Sequence, residues 1–403
     1  MTEGHDRAAA GGLDERVLEE LLAELHASVP YRLPRVVDRC ARSLGLDGAT
    51  IHLVDLQQRV LIPLDDRART LPVEGSTAGW AYRTVSVRID DEEDDLRVWL
   101  PLVDGAERVG VLGVRSRTMD AVRLRRCRLP AHTLALVVTS KRTYSDGFVA
   151  RTRVRTMHAH TEMLRAFLPP RSIGTRSVIS TGVLEPAYEL GGDAFDHSLT
   201  GNTLHAGIFD SMGHDLASGL TTAVAMACCR NARRSRADLD EMVDTVDRAL
   251  SLWLPEQFCT GLVCRLDVDT GVLRWCNCGH PAPLLIRGRR VLDKALERPP
   301  QPPMGLRSLL GDGAGREVHE VVLEPGDRVL LYTDGVTEAR RGGDEFGLGR
   351  FTDFIIRSAA AGQRPAEILR LLMHDIVDHH GNKLSDDATI LLIEWQPPLL
   401  PAD

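Results

Sequence analysis

The sequence predicts an α+β protein of two domains joined by a helical connector, on three observations. Residues from about 15 to 140 mix one-faced helical patterns with short alternating strands. No proline interrupts the helix-compatible stretch from Ala131 to Leu168, which Pro169-Pro170 closes. Beyond Pro170, short β-rich runs alternate with a few long helical patterns, the signature of a sandwich flanked by helices rather than of a regular βαβ winding.

In the first part, Val17, Leu18, Leu21, Leu22 and Leu25 mark one helical face within Leu13 to Ser28, and Leu33 to Leu44 supplies a second helix. Ala49 to Val54, Val98 to Val103 and Val109 to Val114 read as strands. The acidic run Asp90 to Asp95 is expected as an exposed loop, because like charges resist burial. In the connector, Val137, Tyr144, Phe148, Val154, Leu164 and Leu168 keep a rough heptad into which Lys141 and Arg151 intrude, so a homodimer through this helix stays open. Gly147 marks a break in it. The boundaries are 13–140 for the first domain, 141–168 for the connector helix and 169–398 for the second domain.

In that second domain, strands are expected at Ser177 to Val183, Thr203 to Phe209, Gly261 to Leu266, Leu273 to Asn277, Arg328 to Tyr332 and Ala388 to Trp395. A hairpin turn falls at Asp267 to Gly271. Helices are expected at Ala217 to Arg230, Leu239 to Leu250 and Pro365 to Val377.

With 43% hydrophobic and 26% charged residues among 403, the chain can fill two ordinary cores. A formal charge of −8 argues against the basic footprint of a nucleic-acid binder, and the short Arg-rich pieces, Arg123 to Arg128 and Arg230 to Arg236, read as solvated helix ends. No stretch approaches the roughly 20 apolar residues of a membrane span, and Met1 to Gly12 lacks the apolar core of a secretory signal. The expected location is the cytoplasm, where the eight scattered cysteines would remain reduced. Cys276 and Cys278 lack a second ligand pair at zinc-knuckle spacing.

Four acidic motifs occupy turn-like positions beside apolar runs: Gly191-Gly192-Asp193, Asp210-Ser211-Met212-Gly213, Thr333-Asp334-Gly335 and Asp386-Asp387-Ala388-Thr389. Taken alone, each aspartate is an ordinary turn or cap residue. Together, carboxylates at strand ends can converge on one cleft, and such a set without imidazole or thiolate suits hard cations.

Leu164-Arg165-Ala166-Phe167-Leu168-Pro169, Glu189-Leu190-Gly191-Gly192-Asp193, Phe209-Asp210-Ser211-Met212-Gly213-His214, Gly279-His280-Pro281-Ala282-Pro283, Tyr332-Thr333-Asp334-Gly335-Val336-Thr337-Glu338 and Asp386-Asp387-Ala388-Thr389 follow in an order that resembles the SpoIIE/RsbU-type serine phosphatases of the PPM (PP2C-like) superfamily. The resemblance implies paired sheets flanked by helices and a pair of Mn²⁺ or Mg²⁺ ions. Asp193 and Asp210 would be the catalytic metal-holding pair, with the Ser211 carbonyl, Asp334, and Asp386 or its neighbour Asp387 completing the shell. Phosphomonoester hydrolysis needs a nucleophile at neutral pH and neutralised phosphoryl oxygens, and a metal pair supplies both. The family usually has glycine after the histidine where this chain has Asp215, which also suits the N-cap of the following helix.

Residues 15 to 140 resemble a GAF domain by pattern and order, ending in Leu100-Pro101-Leu102 and Gly110-Val111-Leu112-Gly113-Val114. That resemblance implies a pocket for a small-molecule ligand, with Trp80 and Trp99 either in its wall or simply packed in the core. The combined reading is a protein serine/threonine phosphatase acting on a phosphorylated STAS-type anti-anti-sigma protein under a GAF-like sensor, without nucleic-acid or membrane partners. The alternatives are a non-catalytic phosphoprotein-binding regulator on the same fold and a metal-dependent nucleotidyl cyclase, for which no base-recognising residues appear. His214 and His280 are expected as hydrogen-bonding braces.

Overall fold

Local pattern and packing divide the chain into two units, Met1–Arg155 and Thr156–Asp403. The computed structural model describes residues 19–92, 95–299, 301–307, 315–337, 340–341, 344–345, 347–379, 384 and 386–397. Val17, Leu18 and Glu338 of the sequence patterns lie outside the described residues.

In the first unit, helix α1 (residues 19–27) buries Leu21 and Leu25. After a 3₁₀ turn at Pro30–Arg32, α2 (Leu33–Ser43) turns Leu33, Val36, Val37, Cys40 and Ala41 inward, the 3.6-residue stripe its sequence specifies. Strands β1 (Gly48–Val54), β2 (Val60–Pro63) and β3 (Leu71–Pro72) precede α3 (Thr77–Thr84), which Ser76 caps by accepting the Gly79 N–H at 2.9 Å. Strands β4 (Arg88–Glu92), β5 (Asp95–Asp104) and β6 (Glu107–Ser116) complete an antiparallel sheet in the order β3-β2-β1-β6-β5-β4. One face packs on α1, α2, α4 (Ala121–Arg142) and α5 (Gly147–Thr152); α3 lies against the other, its Ala78, Ala81 and Tyr82 over Val54, Leu61, Trp99 and Val111.

Two expectations change here. The acidic run is not a loop: Asp90 and Asp91 pair with Arg97 and Leu96 within β4 and β5, because cross-strand pairing overrides local charge repulsion, while residues 93 and 94 are not described. Nor is 141–168 one helix. α4 ends at Arg142, α5 ends at Thr152 before an extended Arg153, and α6 (Ala159–Phe167) begins after an extended His158. Helical stability comes mainly from packing of an apolar face. Phe148 is buried in the first unit's core and Leu164 in the second's, so each segment follows its own core. Of the two tryptophans, Trp99 is buried, whereas Trp80 is half exposed with the Arg88 guanidinium 4.1 Å above its ring.

The second unit stacks two sheets. Strands β7 (Ser172–Gly174), β8 (Val178–Glu185), β9 (Asp193–Thr200) and β10 (Thr203–Ser211) lead to α7 (Leu216–Arg234) and α8 (Leu239–Trp253). Then follow β11 (Cys259–Asp267), β12 (Val272–Cys278), β13 (Leu284–Arg287), β14 (Arg290–Leu292), β15 (His319–Val322) and β16 (Arg328–Tyr332). A one-turn helix α9 (Asp334–Thr337), the short strands β17 (Arg340–Arg341) and β18 (Asp344–Glu345), α10 (Leu348–Ala360), α11 (Pro365–His379) and β19 (Ala388–Trp395) close the unit. One sheet runs β15-β12-β11-β10-β9 and the other β14-β13-β16-β19-β8-β7.

Strand alternation builds the layers. On β10, Ile208 enters the core between the sheets while Phe209 turns outward to α7 and α8. On β19, Leu391 and Ile393 face that inner core, and Ile390 and Leu392 face α10 and α11. Each such fully buried side chain contributes about 1.5–3 kcal/mol. The result is a helix–sheet–sheet–helix sandwich. Among the described residues no helix is long and apolar enough to cross a membrane.

Candidate active site

Strand register brings the first two carboxylates together. Asp193 opens β9 directly opposite Asp210 on β10, and Thr260 on β11 stands on the other side of Asp210. The close turn before Asp193 requires glycine: a Cβ on Gly192 would fall 2.2 Å from the Ser211 carbonyl oxygen.

The second sheet supplies the rest. Asp334 begins α9 at the end of β16, and Asp386-Asp387 precede its neighbour β19. Thr333 and Thr389 each donate a hydroxyl hydrogen bond of 2.8 Å to Oδ2 of Asp193, fastening the second sheet to the first sheet's carboxylate. Oδ2 of Asp387 accepts the backbone N–H of Gly191 at 2.6 Å and of Asp193 at 3.2 Å. Gly335 allows this approach, since a Cβ there would lie 1.9 Å from the Asp387 carbonyl oxygen.

Burial is graded across the set. Asp193 and Asp387 are 3% and 7% exposed, Asp210 is half-buried, and Asp334 and Asp386 face solvent. Burial, then Asp210 and Asp387, drive the Asp193 carboxyl well above the usual range, against its two threonine hydrogen bonds. Asp210 is pushed up to about 7 by burial and then by Asp334, Asp386 and Asp387, with the Thr260 hydrogen bond opposing. Asp387 is pushed up to about 6, chiefly by burial, while the backbone N–H groups pull it down. The leading influences on Asp193 and Asp210 include no cationic side chain.

Such a site fits a cation. Among the described residues, no three carboxylate, imidazole or thiolate side chains close around a common point. The donors beside one another here, the Asp193 and Asp210 carboxylates, are the hard oxygen groups that an ion of the Mg²⁺ type takes one or two of while keeping several waters.

Side chains around the carboxylates are otherwise committed. The Ser211 hydroxyl donates to the Ser218 carbonyl at 2.7 Å and accepts from Thr222 at 2.8 Å, and both this hydroxyl and the Ser211 carbonyl lie against Gly192. His280 is a brace: buried, held by burial down to about 4 and so neutral, it meets Thr260 Oγ1 through Nδ1 at 3.1 Å, and Thr260 in turn bonds Asp210. His214 is exposed in the loop after Asp210. Asp215 caps α7, accepting the N–H groups of Ala217 at 2.9 Å and Ser218 at 3.1 Å, so aspartate serves this turn in place of glycine. Cys276 and Cys278 are both buried with their sulfurs 3.9 Å apart, and among the described residues no third metal-ligating side chain joins them. The sequence reading missed Thr260, Thr333 and Thr389. Two of these sit inside the quoted motifs, beside Asp334 and next but one to Asp387.

Residues 200–396 match the family described as Stage II sporulation protein E (SpoIIE). The second unit carries a SpoIIE-type domain of the PPM class. The matched stretch takes in Asp210, Asp334, Asp386 and Asp387, and the SpoIIE-type domain begins its β10 just inside it. Protein IcfG of Synechocystis sp. is 25% identical over 130 residues, which is 32% of this chain and 19% of IcfG, so the match spans about a fifth of that relative's length. Among solved structures, the RsbU and RsbW domains of Rv1364c from Mycobacterium tuberculosis align at 24% identity over 58% of this chain and 64% of that one, with a TM-score of 0.47. The SiaA-PP2C domain of Pseudomonas aeruginosa aligns at 20% identity over 59% of this chain and 94% of that one, also with a TM-score of 0.47.

Proposed function

We propose that this chain is a metal-dependent protein serine/threonine phosphatase of partner-switching signalling. Its substrate is a phosphorylated STAS-type anti-anti-sigma protein, and its first unit acts as a GAF-like sensor in the cytoplasm. The observation that carries the reading is the cross-strand pair Asp193 and Asp210, electrostatically coupled to carboxylates of the other sheet where the two sheets meet.

Asp193, Asp210, Asp334, Asp386 and the Ser211 carbonyl are the groups that would hold two Mn²⁺ or Mg²⁺ ions. When bound, such ions supply an acidified water and neutralise the phosphoryl oxygens. Asp387 is given a different task from Asp386. Its oxygen is already taken by two backbone N–H groups, so it shapes the Gly191–Asp193 turn, while Asp386 faces solvent. The threonine pair fixes which Asp193 oxygen stays free, because both hydroxyls converge on Oδ2. Thr260, steadied by His280, orients Asp210 in the same way. The leaving serine oxygen takes its proton from water, His280 being buried and tied to Thr260 and Asn277.

The test is hydrolysis of p-nitrophenyl phosphate and of a phosphoserine peptide by the full chain with Mn²⁺, beside Asp210→Ala and an EDTA control. Metal-dependent turnover that the variant loses supports the proposal. Silence at every metal concentration, with the phosphopeptide still bound, would hand the site to a non-catalytic binding protein.

A further inference from the structure

On the sheet face of the first unit that α3 partly covers lies a cleft of about 610 Å³. Its floor comes from alternate residues of three neighbouring strands: Thr50 and His52 on β1, Gly113 and Arg115 on β6, Arg97 and Trp99 on β5. Gly113 stands between Thr50 and Trp99. A Cβ there would fall 2.5 Å from a carbon of the indole and 3.0 Å from Thr50 Oγ1, so the missing side chain makes room for the ring. His52 meets Trp99 edge to face with centroids 5.5 Å apart. The His52 Nε2–H donates to the Arg69 carbonyl at 3.3 Å and so ties the β2–β3 segment, which bears Asp65 and Arg67, to the floor.

The charge of this cleft runs against that of the chain, which is −8 overall. Guanidiniums of Arg42, Arg67, Arg69, Arg97 and Arg115 line it, against the carboxylates of Asp38 and Asp65. Asp38 is already engaged, accepting the Ala49 N–H at 3.0 Å and pairing with Arg42 at 3.1 Å. Arg97 and Arg115 are direct cross-strand partners, a placement of like charges that destabilises a sheet. Asp90 stands opposite Arg97 on β4. His52, held by burial down to about 4, adds no charge at neutral pH. Guanidinium forks match the oxygens of phosphate and carboxylate groups, and a bound anion would relieve the opposed pair.

We propose that this cleft binds a small organic polyanion, its phosphate or carboxylate groups held by Arg97, Arg115 and the Arg67–Arg69 rim above the Trp99 floor. The site lies within the first unit and stands or falls apart from the phosphatase reading.

The experiment is isothermal titration of the full chain, stripped of metal on a chelating resin and held in metal-free buffer, with inorganic pyrophosphate and, separately, citrate, with glucose as the uncharged control. Removing metal keeps anions away from the carboxylate cleft of the second unit without adding a competing polyanion. One or both anions should saturate a single site, more weakly as salt rises. Arg115→Gln, and Arg97→Gln as a second variant, should weaken binding by about tenfold or more, a loss of about 1.4 kcal/mol. Arg125→Gln, at an exposed position on α4, should bind as the parent does. The Arg115→Gln protein should melt no lower than the parent, because the opposed pair is gone, which separates lost binding from lost folding. Pyrophosphate alone would name phosphate as the recognised group, and citrate alone would name carboxylate. Binding of neither anion, or equal binding by both cleft variants, overturns the proposal.

Discussion

Replacing Asp210 with asparagine should stabilise the metal-free protein and remove what metal does for it. The Asp210 carboxyl, ordinarily near 3.8, is pushed up to about 7 by burial and by three other carboxylates. A group whose folded value is raised contributes fully at low pH, and that contribution is lost as pH rises through the two values. Each unit is worth about 1.4 kcal/mol, so ionised Asp210 costs the folded state at most about 4 kcal/mol above pH 7. That cost is already net of the Thr260 hydrogen bond, and asparagine escapes it. The gain is at most about 4 kcal/mol, a rise of up to roughly 8–16 °C in Tm for a unit the size of Thr156–Asp403. Calorimetry at pH 7.5 in EDTA reads this directly, and Mn²⁺ at about 100 times its Kd should then add about 2.7 kcal/mol to the parent only. An asparagine variant that melts at or below the parent in EDTA, or that Mn²⁺ stabilises equally, would refute the reasoning.

Four further outcomes follow from the same geometry. In EDTA, the stability difference between Asp210→Asn and the parent should be near its minimum at about pH 4 and should widen towards about pH 7, the window set by Asp210; melts at several pH values check it, and a gap that narrows as pH rises counts against it. Asp386→Ala should raise the Mn²⁺ requirement by about tenfold, about 1.4 kcal/mol, with little change in urea midpoint. Asp387→Ala should cost about 1–3 kcal/mol in the same urea titration, because the N–H groups of Gly191 and Asp193 lose their acceptor. Gly335→Ala should destabilise the protein by about 1–3 kcal/mol and depress turnover together, since its Cβ would meet the Asp387 carbonyl at 1.9 Å; unchanged melting and turnover would show that the backbone yields there.

Much of the second unit was legible in advance because its signals are local. Period-two apolar runs marked β10, β11, β12, β16 and β19, and the 3.6-residue pattern marked α7, α8 and α11. α10 went unread, although Phe351 and Ile355 lie on one helical face. The connector misled because helix compatibility is a weak preference, and Phe148 and Leu164 are each drawn into a separate core. The acidic run misled because pairing with β5 decided its conformation.

The sequence by itself determined the alternation that makes the strands, the cap at Asp215, the glycine turns and the order in which the aspartates occur. Only the tertiary structure decided which carboxylate oxygens are free. Thr333 and Thr389, 140 and 196 positions away along the chain, close on one oxygen of Asp193, and Asp387 accepts the distant Gly191 and Asp193 N–H groups while Asp386 accepts the N–H of its own neighbour Asp387. The opposed arginines of the first unit's cleft likewise come from strands paired across the sheet. Register and burial create these neighbours. Neither leaves a trace in local composition, since each depends on which distant strand end arrives at the same edge.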